Sequence, residues 1–296
     1  MKRKLVKQGA ATMMISLPSK WIRANNLDKG DEIELEEKNN SLIISQEAKK
    51  GKKQTEINLS SLTESSIRTL ITNAYRLGYN QIKLSFKDKK AIESIKDTIN
   101  NNLLGFEIIN KSDTSCEIEN ITEPSKEQFE NIFSKIFLNI EDLFEITLLM
   151  LQGKKSNFEE VEKKIQQFDN FCRRVSANDS DSQLRWAFHA ELIHAQREIY
   201  HLLRYLEKNK IKPEKEIFSL LEDCRKIFKI LEQAYKEKSI SLLEKIHEME
   251  KEIVYKKGHS SIKISKNPIV LHHLLSAIRN FYLSSSPLIG IFIQEA

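Results

Sequence analysis

Six cations stand in the first 23 residues, Lys2, Arg3, Lys4, Lys7, Lys20 and Arg23, with no acid among them. A run of this kind suits one chemistry, the neutralisation of phosphates along a polyanion, which supplies most sequence-independent affinity for DNA. The whole chain carries +5 at pH 7, so everything beyond residue 23 sums to −1. An acidic block follows at once: Asp28, Asp31, Glu32, Glu34, Glu36 and Glu37, offset only by Lys29. This switch of sign predicts one face turned to a polyanion and one turned away from it. Basic runs are often plain solvated tails. Here, however, the cations are interleaved with a regular apolar pattern.

A second chemistry to weigh is metal binding. Three E-x-x-H spacings occur, Glu191/His194, Glu198/His201 and Glu244/His247. A carboxylate and an imidazole three residues apart share a helix face, the spacing used by di-iron carboxylate bundles. Ligands of a bundle core must project inward, whereas His194 and His201 fall toward the solvent side of the apolar stripe at about 100° per residue. That geometry counts against Glu191, His194, Glu198 and His201 as metal ligands, and ordinary polar-face pairs are the expected reading. His272-His273 is a core-edge pair, and Cys116, Cys172 and Cys224 are apolar fillers. Phosphate-loop, dinucleotide, nucleophile-elbow and H-E-x-x-H patterns do not occur. No catalytic residue, metal or cofactor is expected, and the chain does not read as an enzyme.

Composition sets the frame for these residues. With 8 Gly and 5 Pro in 296 residues, the chain is short of both helix breakers, which predicts long helices. Three scattered cysteines exclude a disulfide framework and fit a reducing cytoplasm. No run reaches the roughly 18 to 20 apolar residues that span a bilayer, and the N-terminus has no signal-peptide core. A soluble cytoplasmic protein without membrane insertion is expected.

Three segments must position the chemistry. In the first, 1–48, residues 3–8 and 11–17 read as strands around Gly9-Ala10, ending at Pro18. Ser19 is the expected N-cap of a short helix through Asn25 or Asn26. Strands over 32–37 and 41–45 follow, separated by Asn39-Asn40. So small a unit buries too little to stand alone and implies a dimer. The lysine-rich run 49–53 is the first boundary. The second segment, 54–122, reads as βαβαββ, with helices over 62–77 and 89–104 stopped by Gly78 and Gly105. The third, 123–296, is helical: 125–152, 157–178, 181–209, 214–236, 239–257, 268–284 and a short tail helix after Pro287. Its breaks are expected at Gly153, Asn178-Asp179, Lys212-Pro213, Gly258 and Asn267-Pro268. Leu184, Phe188, Leu192, Ala195, Ile199, Leu202 and Leu206 form a core stripe. This segment carries 27 Lys and Arg against 26 Asp and Glu, a nearly neutral mass.

Residues 3–45 resemble the AbrB/MazE (SpoVT-AbrB) family through Lys4-Leu5-Val6-Lys7-Gln8-Gly9, Thr12 to Ile15, Leu17-Pro18, the short helix, Leu27-x-x-Gly30-Asp31 and Leu42-Ile43-Ile44. The resemblance implies a swapped-hairpin homodimer that contacts double-stranded DNA through Lys4, Lys7, Lys20 and Arg23, with Lys2 and Arg3 as an N-terminal arm. Related domains often carry Arg just before the apolar-Pro step, where this chain has Ser16.

The order of this unit, an α+β segment containing Tyr75-Arg76-x-Gly78-Tyr79-x-x-Ile82, and a helical bundle resembles archaeal-type phosphate uptake regulators, in which a PhoU-like bundle follows an AbrB-like domain. Some PhoU bundles bind metal through E-x-x-x-D. Here Asp169 fits the Asp position but Ile165 replaces the Glu, and Arg279 matches while Tyr282 replaces the following Asp. The metal cluster is therefore not carried over. The expectation is a multidomain transcriptional regulator of phosphate uptake or signalling, with the bundle as sensor or docking module. The alternative is an adaptor that docks a phosphate transporter, sensor protein or kinase, with the N-terminal unit serving dimerisation.

Overall fold

The computed structural model describes the chain except residues 1, 10–11, 39–40, 47–52, 60–62, 123–125, 178–181 and 296. Ala10, the Asn39-Asn40 turn, most of the 49–53 break and the Asn178-Asp179 break lie outside the described residues. The chain divides into two units, Met1–Lys53 and Gln54–Ala296.

The first unit holds two antiparallel hairpins and one helical turn. Strands β1 (Val6–Gln8) and β2 (Thr12–Met14) pair with each other, and β3 (Ile33–Lys38) pairs with β4 (Ser41–Gln46). The first two are shorter than the sequence pattern predicts. Gly9 turns between them at φ +76°, a backbone shape that suits a residue without Cβ. Helix α1 (Ser19–Ala24) follows Pro18. Ser19 is its first helical residue rather than its cap. Pro18 occupies the cap position in an extended conformation, and no side chain caps the turn.

The second unit opens with β5 (Gln54–Asn58), α2 (Glu64–Arg76), β6 (Gln81–Ser85), α3 (Ala91–Asn102), β7 (Phe106–Lys111) and β8 (Ser115–Asn120). This is the predicted βαβαββ order. The sheet runs β5-β6-β8-β7, parallel between β5 and β6 and antiparallel elsewhere. Thr63 caps α2 by accepting from the Ser66 amide, and Gly78 directly follows its C-cap Leu77 at φ +82°, as expected. Helix α3 ends earlier than expected, at Asn102: Leu103 is already extended, and Gly105, at φ +75°, turns the chain into β7 instead of stopping the helix. Ile71, Tyr75, Ile82, Ile95 and Ile118 fill the space between helices and sheet.

The helices that follow are α4 (Phe129–Leu151), α5 (Glu159–Ser176), α6 (Ser182–Lys208), α7 (Lys215–Glu237), α8 (Ile240–Glu250), α9 (His259–Ile264), α10 (Pro268–Leu283) and α11 (Ser285–Glu295). Their core is aromatic. Phe137 lies 5.9 Å from Phe228, which lies 5.4 Å from Phe281. Phe188, Leu192, Ala195, Ile199 and Leu202 of the predicted stripe are buried, with Leu184 and Leu206 at its edges. Gly258 does not break the chain. A π-helical stretch, Lys251–Gly258, joins α8 to α9. Its glycine serves packing, because a Cβ there would meet Leu275 Cδ2 at 2.5 Å. Pro268 opens α10 at its first position as expected, while Pro287 is the third residue of α11 rather than the first. Among the described residues, no helix is long and apolar enough to cross a membrane.

Candidate functional site

The register of the first hairpin sets Val6 opposite Met14 and Lys7 opposite Met13. Lys7 thus shares a strand face with Met13, while Val6 and Met14 hold the other. Lys20 and Arg23 stand three apart on α1, which puts them on one side of that turn. Trp21 and Ile22 are half-buried and anchor it. Lys2, Arg3 and Lys4 precede β1. All six cations are exposed, and none makes an ion pair among the described residues. Their charge is available to an outside partner. The acids take a different element: Glu34, Glu36 and Glu37 lie on β3, with Glu34 opposite Ser45 and Glu37 opposite Leu42.

The same unit lacks a core of its own. No described residue in it is buried. Leu5, Val6, Met13, Met14, Ile15, Leu35, Leu42 and Ile43 are each between 42% and 68% exposed. Two-stranded hairpins are marginal in water without a further apolar surface. At about 25 cal/mol per Å², side chains of this size left in water forfeit most of the stabilisation available to the fold. The apolar faces of both hairpins require a covering surface.

Residues 6–55 match the family model described as antidote-toxin recognition MazE, bacterial antitoxin. The segment is MazE-like. Comparison with curated proteins and with solved structures found no match for the chain. The MazE-like match runs from β1 to the first residues of β5. It covers Lys7, Lys20 and Arg23, and it leaves Lys2, Arg3 and Lys4 just ahead of it.

Sequence reasoning missed a second cluster, far from the MazE-like segment in sequence. Asp169 of α5 is fully buried. Arg173 Nε donates to its two oxygens at 3.0 and 2.8 Å, His189 Nδ1 of α6 lies 3.3 Å away, and Arg76 Nη2 of α2 lies 3.7 Å away. Burial pushes the Asp169 pKa up, but Arg173, His189 and Arg76 outweigh it and hold the carboxyl at about 2. Burial pushes His189 below its ordinary 6.5, against the pull of Asp169. His189 is therefore neutral at pH 7 and donates through Nδ1. The i,i+4 spacing of Asp169 and Arg173 was visible in the sequence. The arrival of Arg76 and His189 was not.

A neighbouring row on α5 locks the α+β segment to the bundle. Gln167 Nε2 donates to the Asn100 carbonyl and Asn170 Nδ2 to the Asn102 carbonyl, each at 2.8 Å. Arg174 Nη1 donates to the Tyr75 and Tyr79 carbonyls at 2.7 and 2.9 Å. The last carbonyls of a helix lack intrahelical partners. Side chains at steps of three and four along α5 supply them for both α2 and α3.

The metal candidates are dispersed. The His194 side chain is 61% exposed and stands 3.9 Å from Glu191. Glu198 accepts from His273 Nδ1 at 2.8 Å, in place of a shared site with His201. His201 lies 6.3 Å, ring to ring, from His273, and burial lowers its pKa. Among the described residues, no three His, Cys, Asp or Glu side chains are placed to hold a metal ion. Ile165 is core, and Arg279 pairs with Glu250 at 2.6 Å.

Proposed function

We propose that the chain is a cytoplasmic, homodimeric DNA-binding regulator whose N-terminal unit grips double-stranded DNA and whose helical mass receives a signal. The observation that carries this reading is the set of six exposed, unpaired cations on a MazE-like unit without a core. A second copy covers the apolar hairpin faces in a swapped-hairpin arrangement. The two copies together present about a dozen cations to the phosphates, and contacts of this kind set position and affinity while a few side chains read bases. The chain acts by binding, without catalysis or a cofactor of its own.

The finer reading is control of phosphate uptake or phosphate signalling. Its support is the order of segments, MazE-like unit, α+β segment and helical bundle, which resembles phosphate uptake regulators. The bundle then serves as sensor, or docks a transporter or sensor protein. Mapping DNA occupancy across the genome at high and low phosphate tests both levels. Discrete sites that gain or lose occupancy with phosphate support the full reading. Discrete sites indifferent to phosphate leave the DNA regulator and remove the phosphate signal, and no enrichment anywhere removes both.

A protein-binding role for the N-terminal unit is the second reading, favoured by the toxin-recognition description of the matched family. Charge reversal of Lys4, Lys7, Lys20 and Arg23 separates the two, since only the DNA reading requires those cations.

A further inference from the structure

Beside Asp169 lies a cavity of about 360 Å³, within the size range of small-molecule sites. It is lined by the end of α2 (Arg76, Leu77), the end of α5 (Arg173, Ser176, Ala177) and the first turns of α6 (Ser182, Gln183, Trp186). His189 closes it at the Asp169 side.

Its polar groups are unevenly committed. Arg76 spends Nε on Asn170 Oδ1, at 2.6 Å, and holds Nη2 only within ion-pair range of Asp169. Arg173 spends Nε on Asp169, and its Nη1 makes one long contact, 3.5 Å, with the Trp186 carbonyl. Among the described residues the other guanidinium N–H groups of both arginines have no hydrogen-bond acceptor. Among those residues, Asp169 is the one carboxylate within ion-pair distance of either arginine. Two guanidiniums thus share a single buried carboxylate, which among the described residues leaves a positive charge over at the cavity wall. Among the described residues, no acid lines the space.

The remaining wall is flat and apolar. The Trp186 ring lies 4.7 Å from the Arg173 guanidinium carbon and 5.6 Å from that of Arg76. Leu77 and Ala177 complete the apolar side, and Ser182 and Gln183 add neutral polar groups at the rim. Guanidinium forks pair with planar or tetrahedral oxyanions in two-point geometry, and a ring edge adds contact for a flat body.

We propose that this cavity is a binding site for a small aromatic oxyanion, a carboxylate or phosphate monoester carried on a flat ring. The oxyanion takes the Nη edges of Arg76 and Arg173. The ring lies along Trp186, Leu77 and Ala177. The site joins the α+β segment to the bundle, because Arg76 comes from one and Arg173 and Trp186 from the other. It stands apart from the DNA reading, since it needs neither the N-terminal cations nor DNA.

The test uses the full chain without DNA, titrated by calorimetry and by Trp186 emission in a Trp21→Phe background. The probes are benzoate, phenyl phosphate, neutral benzamide and inorganic phosphate. Saturable binding of benzoate or phenyl phosphate at least tenfold tighter than of benzamide is expected, with inorganic phosphate weaker than phenyl phosphate. Arg76→Met, which keeps the apolar stem, weakens binding at least tenfold. Ala177→Phe fills the cavity without touching either charge and abolishes binding in a chain of unchanged circular dichroism. The proposal is overturned if neither aryl anion binds the folded chain saturably, if benzamide binds as well, or if Ala177→Phe leaves binding unchanged.

Discussion

Arg76, at the end of α2, donates Nε to Oδ1 of Asn170 on α5 at 2.6 Å, across 94 positions of sequence. The same asparagine passes its own amide hydrogen to the Asn102 carbonyl at the end of α3. One side chain thus fastens two helix ends of the α+β segment to the bundle.

Asn170→Ala removes the acceptor for Arg76 and the donor for Asn102 together. A buried group left unsatisfied costs about 1–3 kcal/mol, and because Arg76 and Asn102 are half-buried the loss should fall at the low end of that range. Urea unfolding should show that loss. Hydrogen exchange should quicken in the last turns of α2 and α3 while α10 keeps its protection. Uniform quickening across all helices would contradict the fastening role.

Asp169→Asn leaves the buried Arg173 and the half-buried Arg76 beside a neutral group. Breaking a buried pair by removing one partner costs about 3–5 kcal/mol. The double variant Asp169→Leu with Arg173→Met removes both charges and should cost less than the single change. Equal or greater loss in the double variant, by denaturant midpoint, would count against the charge argument.

The pH dependence follows from the directions of the two shifts. His189 is held below 6.5 in the fold, so the unfolded chain takes up its proton first as pH falls. Its contribution to stability is complete above pH 6.5 and declines below it. Asp169, held at about 2 against an ordinary 3.8, contributes above 3.8 and is lost between 3.8 and 2. Stability should therefore fall from pH 6.5 downward. His201, lowered by burial, acts with the same sign. His189→Gln should flatten the limb between pH 6.5 and 5, with urea midpoints at each pH as the measure. An unchanged limb would show that His189 does not titrate as described.

Gly258→Ala places a methyl against Leu275, where the ideal Cβ stands 2.5 Å from Cδ2. Overpacking of this kind costs about 1–3 kcal/mol. Thermal unfolding of Gly258→Ala should show it, and Leu275→Ala added to the same chain should cost less than its separate effect. Strict additivity of the two would remove the steric explanation.

Much of this architecture was legible in the sequence because the signals were local. Gly78 ends α2 through its own backbone freedom, and the α6 stripe follows from a 3.6-residue period. Gly258 was misread for the same reason. A glycine marks a break in a local reading, whereas here it makes room for Leu275. The cations of the first segment were legible as charge, and their exposure agrees. Of the Asp169 cluster, the sequence marked Asp169 and Arg76 separately, each by resemblance, and did not join them. Arg76 and His189 reach it through the packing of α2 and α6 against α5, a tertiary event that no window of sequence contains.

Lys2, Arg3, Lys4, Lys7, Lys20 and Arg23 are expected to form a phosphate-gripping surface. Its most direct test is the binding of full-length protein to duplex DNA, followed by fluorescence anisotropy from about 50 to 300 mM KCl. Each phosphate contact contributes about −0.9 to the slope of log K against log salt. A slope of about −4 or steeper is expected for the dimer, flattened by about two to four in the Lys7→Glu, Arg23→Glu variant. Binding that ignores salt, or no binding at the lowest salt, would rule out a phosphate grip by these cations.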